Sequence, residues 1–191
     1  WSSDVCSSDL NEGVQGWLVM PLAEYAGLHG KDDLESAMAL MRQLTMRFTS
    51  EFGIRHLIMA HPQPCLAIME RWCDDENHHV RRLASEGSRP RLPWGMQLPH
   101  LLAQPQLTLP ILEKLRDDSS EYVRRSVANH LNDHAKSHAP WVLDVAEKWN
   151  KKAPAPRKKL LRHALRNLLK QGQSQALRMF GMQPPAIDEP A

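Results

Sequence analysis

The chain has 191 residues, with 24 Lys or Arg against 22 Asp or Glu and a formal net charge of +2. That length suits one domain with a real core, and no apolar run approaches the ~18 residues of a membrane span. No secretory leader is visible, and Cys6, Cys65 and Cys73 give no even disulfide framework, so a reducing bacterial cytosol is the expected compartment.

Residues 1–10, WSSDVCSSDL, resemble translated sequencing-adapter read-through and otherwise read as a Ser-rich tail. In the first case the natural chain enters near Asn11, its own N-terminus is missing, and the net charge without Asp4 and Asp9 becomes +4. Residues 17–29 have the pattern of a short amphipathic helix interrupted by Pro21. Residues 31–48 predict a helix with Leu34, Met38, Met41 and Thr45 on one face. A second runs over 51–60 to the turn at His61-Pro62, and Pro64 starts a third over 65–72, where Leu66, Met69 and Trp72 recur at helical spacing.

Asp74-Asp75-Glu76-Asn77 offers N-cap chemistry for the next helix, which should stop by Gly87 because Pro90 and Pro93 follow. Residues 88–110 are irregular, with room for a short helix at 97–103. Helices follow over 108–116 and 121–136, the second preceded by a capping-box pattern, Asp118-Ser-Ser-Glu121. After them come a helix over 139–149, a linker over 151–156, and helices over 157–171 and 174–179. Residues 183–191 are expected to be a frayed, Pro-rich tail. No alternating strand pattern appears, so the fold class is all-α.

Val-Arg-Arg occurs at 80–82 and again at 123–125, 43 residues apart, with echoes at Ile54-Arg55-His56 and Leu161-Arg162-His163. Similar helices at such steps predict a stack of antiparallel helix pairs, a HEAT-like right-handed superhelix over 11–182 that needs no partner to close its core, hence a monomer. Aligned copies place Val80, Val123 and Leu161 on the apolar side. They place Arg82, Arg125 and His163, then Glu86, Asn129 and Asn167 one turn later, on the polar side. Asn132, Asp133 and Lys136 extend that face.

Stacking turns these positions into a polar column whose regularly spaced donors suit a nucleic-acid backbone. Scaffold roles compete. Arg81 and Arg124 can brace adjacent repeats instead, and Arg82 with Glu86 can be a plain i,i+4 pair. From Lys151 to Ile187 there are nine Lys or Arg and no acid, a block that either supplies phosphate contacts or forms a solvated tail. His130, His134 and His138 lack a matching carboxylate or Cys set, so no metal and no cofactor is expected.

Two long motifs, His79-Val-Arg-Arg-Leu-Ala-Ser-Glu-Gly-Ser-Arg-Pro-Arg-Leu-Pro-Trp-Gly95 and Glu121-Tyr-Val-Arg-Arg-Ser-Val-Ala-Asn-His-Leu-Asn-Asp133, closely resemble the signature of AlkC-type DNA alkylation repair proteins. Ser50-Glu-Phe-Gly-Ile-Arg55 and Leu161-Arg-His-Ala-Leu-Arg166 match at the same relative places, and the resemblance covers residues 16–181. It implies a HEAT-like superhelix that excises cationic alkylated bases such as 3-methyladenine from duplex DNA, monofunctionally and without metal. Relatives of the AlkD type share the architecture. Members carry more N-terminal helices, and some a C-terminal immunoglobulin-like domain, so the chain is expected to be an N-terminally truncated fragment.

A cationic base is already a good leaving group and needs little acid help. The remaining work is to stabilise oxocarbenium-like charge on the sugar and hold a water, which a carboxylate does. With the resemblance, Glu86 is the first candidate, kept ionised by Arg81, Arg82, Arg89 and Arg91, and Glu121 and Asp133 are second. On spacing alone Glu86 is an ion-pair partner of Arg82 or Arg89, Glu121 a cap and Asp133 a brace for Lys136.

Trp94 is the candidate aromatic for a base or sugar contact, while Trp72, Trp141 and Trp149 read as core. Arg82, Arg125, Arg162 and Arg166 are the expected phosphate clamps, with Arg89 and Arg91 near the lesion. Arg81, Arg124, Asn129, Asn132 and His163 complete the expected DNA face. A non-catalytic HEAT module that binds DNA structure, or a protein-binding scaffold, are the rival functions. Steep salt dependence separates the DNA binders from the scaffold, and base release separates the enzyme from the module.

Overall fold

In the computed structural model, which describes residues 16–183, the chain is helical throughout the described residues, with no strand. A 3-10 turn leads into α1 (Met20–His29), followed by α2 (Leu34–Thr45), α3 (Ile54–Ala60), α4 (Pro62–Trp72) and α5 (His78–Gly87). The short α6 (Pro99–Ala103) precedes α7 (Leu109–Leu115), α8 (Glu121–Ala135), α9 (Ala139–Asn150), α10 (Ala155–Ala164), α11 (Arg166–Lys170) and α12 (Ser174–Met179). The expectations placed on residues 1–10 and 184–191 lie outside the described residues.

The predicted stacking is present. Helix α8 packs on α5 on one side and on α10 on the other, while α4, α7 and α9 back this row. Val80, Val123 and Leu161, one from each of the three row helices, are fully buried. Each such side chain withdrawn from water contributes about 1.5–3 kcal/mol, which holds neighbouring pairs together. Met38, Met41 and Thr45 share the buried face of α2 as their spacing requires. Trp72 and Trp149 are buried, and Trp141 packs half-buried against the core.

The 43-residue period is written most clearly in the turns. Asp75 Oδ1 accepts from Asn77 N at 2.9 Å, and Asp118 Oδ1 accepts from Ser120 N at 2.8 Å. Arg81 Nη1 donates to the carbonyls of Asp75 and Glu76, both at 2.9 Å. Arg124 Nη1 does the same to Asp118 and to Ser119, the latter at 2.8 Å. The carboxylates then reach back one repeat. Asp75 takes Arg42 Nε at 2.6 Å, and Asp118 takes Arg81 through two bonds of 2.6 and 3.0 Å. Arg81 therefore ties turn to turn, while Arg124 holds the turn before its own helix.

Several boundaries differ from those read in the sequence. Pro21 does not interrupt a helix but lies in the first turn of α1, where its missing N–H costs nothing. Likewise α4 begins at Pro62, not Pro64, and α3 begins at Ile54 because residues 51–53 form a turn. The capping box before α8 does not form: the N-cap is Ser120, whose hydroxyl makes no cap bond, Asp118 accepts from Ser120 N instead, and Glu121 turns to Lys159. The single helix expected over 157–171 breaks at Leu165 (φ −91°, ψ 7°), giving α10 and α11.

Two thiols and two imidazoles lie in the core. Cys65 and Cys73 are buried and unbonded to each other, and burial pushes both up to about 12. His130 Nδ1 donates to Ser85 O at 2.9 Å, and His134 Nε2 lies 3.3 Å from Thr108 Oγ1. Their rings stack at 5.2 Å. His138 Nε2 is turned to Leu102 O at 2.7 Å. Among the described residues no group of three or more His, Cys, Asp or Glu is arranged to hold a metal ion, and no helix is long and apolar enough to cross a membrane.

Candidate nucleic-acid interface

A chain of alternating charges crosses from α5 to α8. Arg82 and Glu86 stand one turn apart on α5, 3.4 Å from Nη2 to Oε1. The helix ends at Gly87, and the backbone turns so that Arg89 reaches back to the same Oε1 at 2.6 Å. Arg89 Nε donates to Asp133 Oδ2 on α8 at 2.8 Å, and Lys136 lies 3.8 Å from the other oxygen. Ser126 Oγ donates to Glu86 Oε2 at 2.6 Å. Both Glu86 oxygens are thus engaged, and the side chain is buried.

The electrostatics follow from those neighbours. Burial works to raise the Glu86 carboxyl, but Arg82, Arg89 and the Ser126 hydroxyl outweigh it and hold the group below the usual carboxylate range. Asp133 goes the other way: burial raises it, and Arg89 and Lys136 recover only part. Burial also opposes the charge on Arg82, but Glu86 and Glu51 more than restore it.

At its other end this chain of charges meets a residue outside the repeat pattern. Arg82 pairs with Glu51 and donates to Thr49 Oγ1 at 2.9 Å, while Thr49 Oγ1 donates to Glu51 Oε2 at 2.8 Å. The Arg82 guanidinium also covers the Tyr122 ring, 5.0 Å from its centroid. Glu51 and Arg82 line a cavity of about 260 Å³ whose other walls include Trp17, Phe48, Phe52 and Trp94. Among the described residues Glu51 is its one carboxylate.

Trp94 is 84 % exposed and adopts φ +60°, a left-handed conformation rare for a bulky residue. It sits on the loop after α5, where Gly95 N bonds Leu92 O at 3.1 Å and Leu98 N bonds Pro90 O at 3.1 Å. Arg91, in the same loop, donates to Ser137 Oγ at 2.8 Å.

A second, larger cleft of about 620 Å³ opens between α8 and α10. Arg124, Arg125, Lys159, Arg162, Arg166 and Lys170 line it over an apolar floor that includes Ala128, Leu160 and Leu169. His163 Nε2 meets Asn129 Oδ1 at 3.0 Å, and Arg166 Nη1 donates to the His163 carbonyl at 2.8 Å. Burial and the adjacent Arg166 depress His163 below its ordinary value. The Asn132 amide, turned with its oxygen toward α11, accepts from Arg166 Nη2 at 3.2 Å and from Asn167 Nδ2 at 3.3 Å. Glu121 is exposed and paired to Lys159 at 2.7 Å and Arg125 at 3.6 Å.

The sequence-derived residues therefore fall into groups. Arg124, Arg125, Arg162, His163 and Arg166 come together on the α8–α10 cleft, with Asn129 joined to it through His163 and Asn132 through Arg166. Arg82, Glu86, Arg89 and Asp133 form the chain of charges, and Trp94 lines the aromatic cavity that Arg82 also reaches. The signal for Glu51 was present in Ser50-Glu-Phe-Gly-Ile-Arg55, but no repeat spacing marks that glutamate.

Comparison with known proteins agrees with this architecture. Residues 42–168 match the family model described as DNA alkylation repair enzyme. An uncharacterized protein of Bacillus subtilis (strain 168), YhaZ, is 43 % identical over 170 residues, which is 89 % of this chain and 46 % of that protein. Among solved structures, the alkylpurine DNA glycosylase AlkC of Pseudomonas fluorescens, bound to DNA containing an abasic site analog, superposes with a TM-score of 0.82 at 47 % identity. That match covers 87 % of this chain and 46 % of that one. The chain spans about half the length of the relatives it matches. The matched segment contains Glu51, the α5–α8 charges and most of the basic cleft; the chain belongs to the DNA alkylation repair enzyme family.

Proposed function

We propose that this chain hydrolyses the N-glycosidic bond of cationic alkylated purines, such as 3-methyladenine, in duplex DNA. The observation that carries it is the aromatic cavity with a single carboxylate, Glu51, fixed by Arg82 and Thr49 beside Trp94. A positively charged base is attracted to aromatic faces by about 0.5–2 kcal/mol. Its departure leaves positive charge on the sugar, which a carboxylate stabilises while orienting a water for attack. Glu51 is preferred to Glu86 because Glu86 is buried with both oxygens already bonded. In this scheme Glu86 and Asp133 hold Arg82 and Arg89, and the α8–α10 cleft takes the phosphate backbone. The chain works as a monomer in the bacterial cytosol, on the nucleoid.

The test is single-turnover release of 3-methyladenine from methylated duplex DNA by the parent, Glu51→Gln, Glu86→Gln and Trp94→Ala. Glu51→Gln should slow release about 100-fold, the scale of removing one preorganised electrostatic group, with affinity for an abasic-site duplex retained. Trp94→Ala should slow it about ten-fold, since the aromatic face is gone. Undiminished release by Glu51→Gln, with loss in a folded Glu86→Gln, would move the role to Glu86. No release by the parent would leave a DNA-binding module.

A further inference from the structure

Arg55 is fully buried on α3, yet among the described residues no carboxylate lies within ion-pair distance of it. Its guanidinium donates to two backbone carbonyls, Met96 O from Nε at 2.7 Å and Gly87 O from Nη1 at 3.0 Å, while Nη2 is buried without a hydrogen-bond partner among the described residues. Burial, with Arg89 nearby, holds it down to about 10. A buried cation with no carboxylate in contact is expensive even with Glu51, Asp133 and Glu86 acting on it at longer range, and an apolar side chain of similar volume would pack there without that cost. What the guanidinium supplies in return is geometry.

Gly87 closes α5, and Met96 lies near the far end of the loop that bears Arg89, Arg91 and Trp94. One side chain therefore staples both ends of that loop to α3. At its own end, α3 is continuous with the Glu51 wall: Ile54 N bonds Ser50 O at 3.1 Å, and Arg55 N bonds Phe52 O at 3.2 Å. Glu51 and Trp94 both line one cavity, and Arg55 is the link between the segments that carry them.

We infer that Arg55 is a positioning residue that sets the separation of Glu51 and Trp94 across the cavity. The inference rests on the proposed glycosylase activity, but its physical part, the fixing of the loop, stands without it. It explains why the Ile54-Arg55-His56 echo carries an arginine that faces no DNA-like surface. It also accounts for a left-handed, exposed tryptophan held on a short turn, since strain persists only where the surroundings over-determine the backbone.

The test compares the parent with Arg55→Lys and Arg55→Met by amide hydrogen exchange over residues 92–96 and by single-turnover release of 3-methyladenine. Lysine keeps the charge but can reach only one carbonyl at a time, and methionine reaches neither. Faster exchange in that segment is expected in both. Release should be slowed about ten- to hundred-fold, as a displacement of about 1 Å does, with affinity for an abasic-site duplex unchanged.

A purely structural role would lower the melting temperature and leave release by the folded protein intact. Exchange over 92–96 and release both at the parent's level in folded Arg55→Lys would overturn the inference. Should Arg55→Met fail to fold, Arg55→Lys carries the decision. A parent that releases no base would refute the proposed activity, while loop exchange would still decide the role of Arg55.

Discussion

Acid should loosen this protein well before its carboxylates titrate, because of the stacked pair His130 and His134. Neither ring is exposed, and each uses one nitrogen on a protein partner. Burial, then the adjacent His138 and Arg91, depress His134 from 6.5 to about 4. Burial, His134, Arg89 and Arg55 push His130 well below its ordinary value. A depressed histidine refuses in the folded state a proton that the unfolded chain accepts. The stability it contributes is therefore complete above pH 6.5 and drains as the pH falls toward 4.

For His134 alone the loss is about 1.4 kcal/mol per pH unit, or about 2.5 kcal/mol between roughly pH 6.5 and 4.5, a large fraction of a domain's stability. Urea unfolding at several pH values across this window, for the parent and for His134→Gln, measures it. Glutamine does not titrate and can still donate toward Thr108, so the variant's stability should fall less steeply by about 1.4 kcal/mol per pH unit. Identical slopes in the two proteins would refute the reasoning.

Three further outcomes concern the braces, the close approach of α1 to α3, and the basic cleft. Replacing Arg81 by Met leaves the buried Asp118 carboxylate without its guanidinium and should cost about 3 kcal/mol, read as a lower urea midpoint at unchanged m-value. A shift below about 1 kcal/mol would mean that the turn-to-turn brace is idle. A methyl group added at Gly27 would stand 2.0 Å from the Gly53 carbonyl oxygen, so Gly27→Ala should force α1 from α3 and cost about 2 kcal/mol, checked by thermal melting. Neutralising Lys159, Arg162 and Arg166 together should flatten the salt dependence of duplex binding by about 0.9 for each phosphate no longer neutralised. An unchanged slope would place the backbone elsewhere.

The helical stack was legible because its two strongest signals are local. Val80 and Val123 repeat with their flanking turns, and the Asp and Arg that build each turn, Asp75 with Arg81 and Asp118 with Arg124, lie at the same 43-residue offset. What could not be read depended on competition between distant groups. Asp118 looks like the start of a capping box, but Arg81 from the preceding repeat fixes its carboxylate, while its remaining lone pairs serve Ser120 N. Leu165 carries no helix-breaking chemistry, yet Asn132, Arg166 and Asn167 meet at that break across two elements.

Glu86 drew attention because four arginines surround it in sequence; two of them, Arg82 and Arg89, engage one of its oxygens, while Ser126 from α8 takes the other. Glu51 stands between Arg47 and Arg55 in sequence, yet Arg55 turns to the backbone carbonyls of Met96 and Gly87, and the arginine that pairs with Glu51, Arg82, comes from α5.

The buried cysteines bear on how the protein survives its surroundings. DNA bases of the proposed kind arise by attack of methylating electrophiles, and protein thiolates are softer and better nucleophiles than purine nitrogens. With Cys65 and Cys73 pushed up to about 12, the thiolate fraction at neutral pH is on the order of 10⁻⁵, and both side chains are buried. The Cys73 thiol is further turned to the Met69 carbonyl, Sγ to O 3.5 Å. Both sulfurs are thereby withheld, in the folded chain, from the reagents that create such lesions.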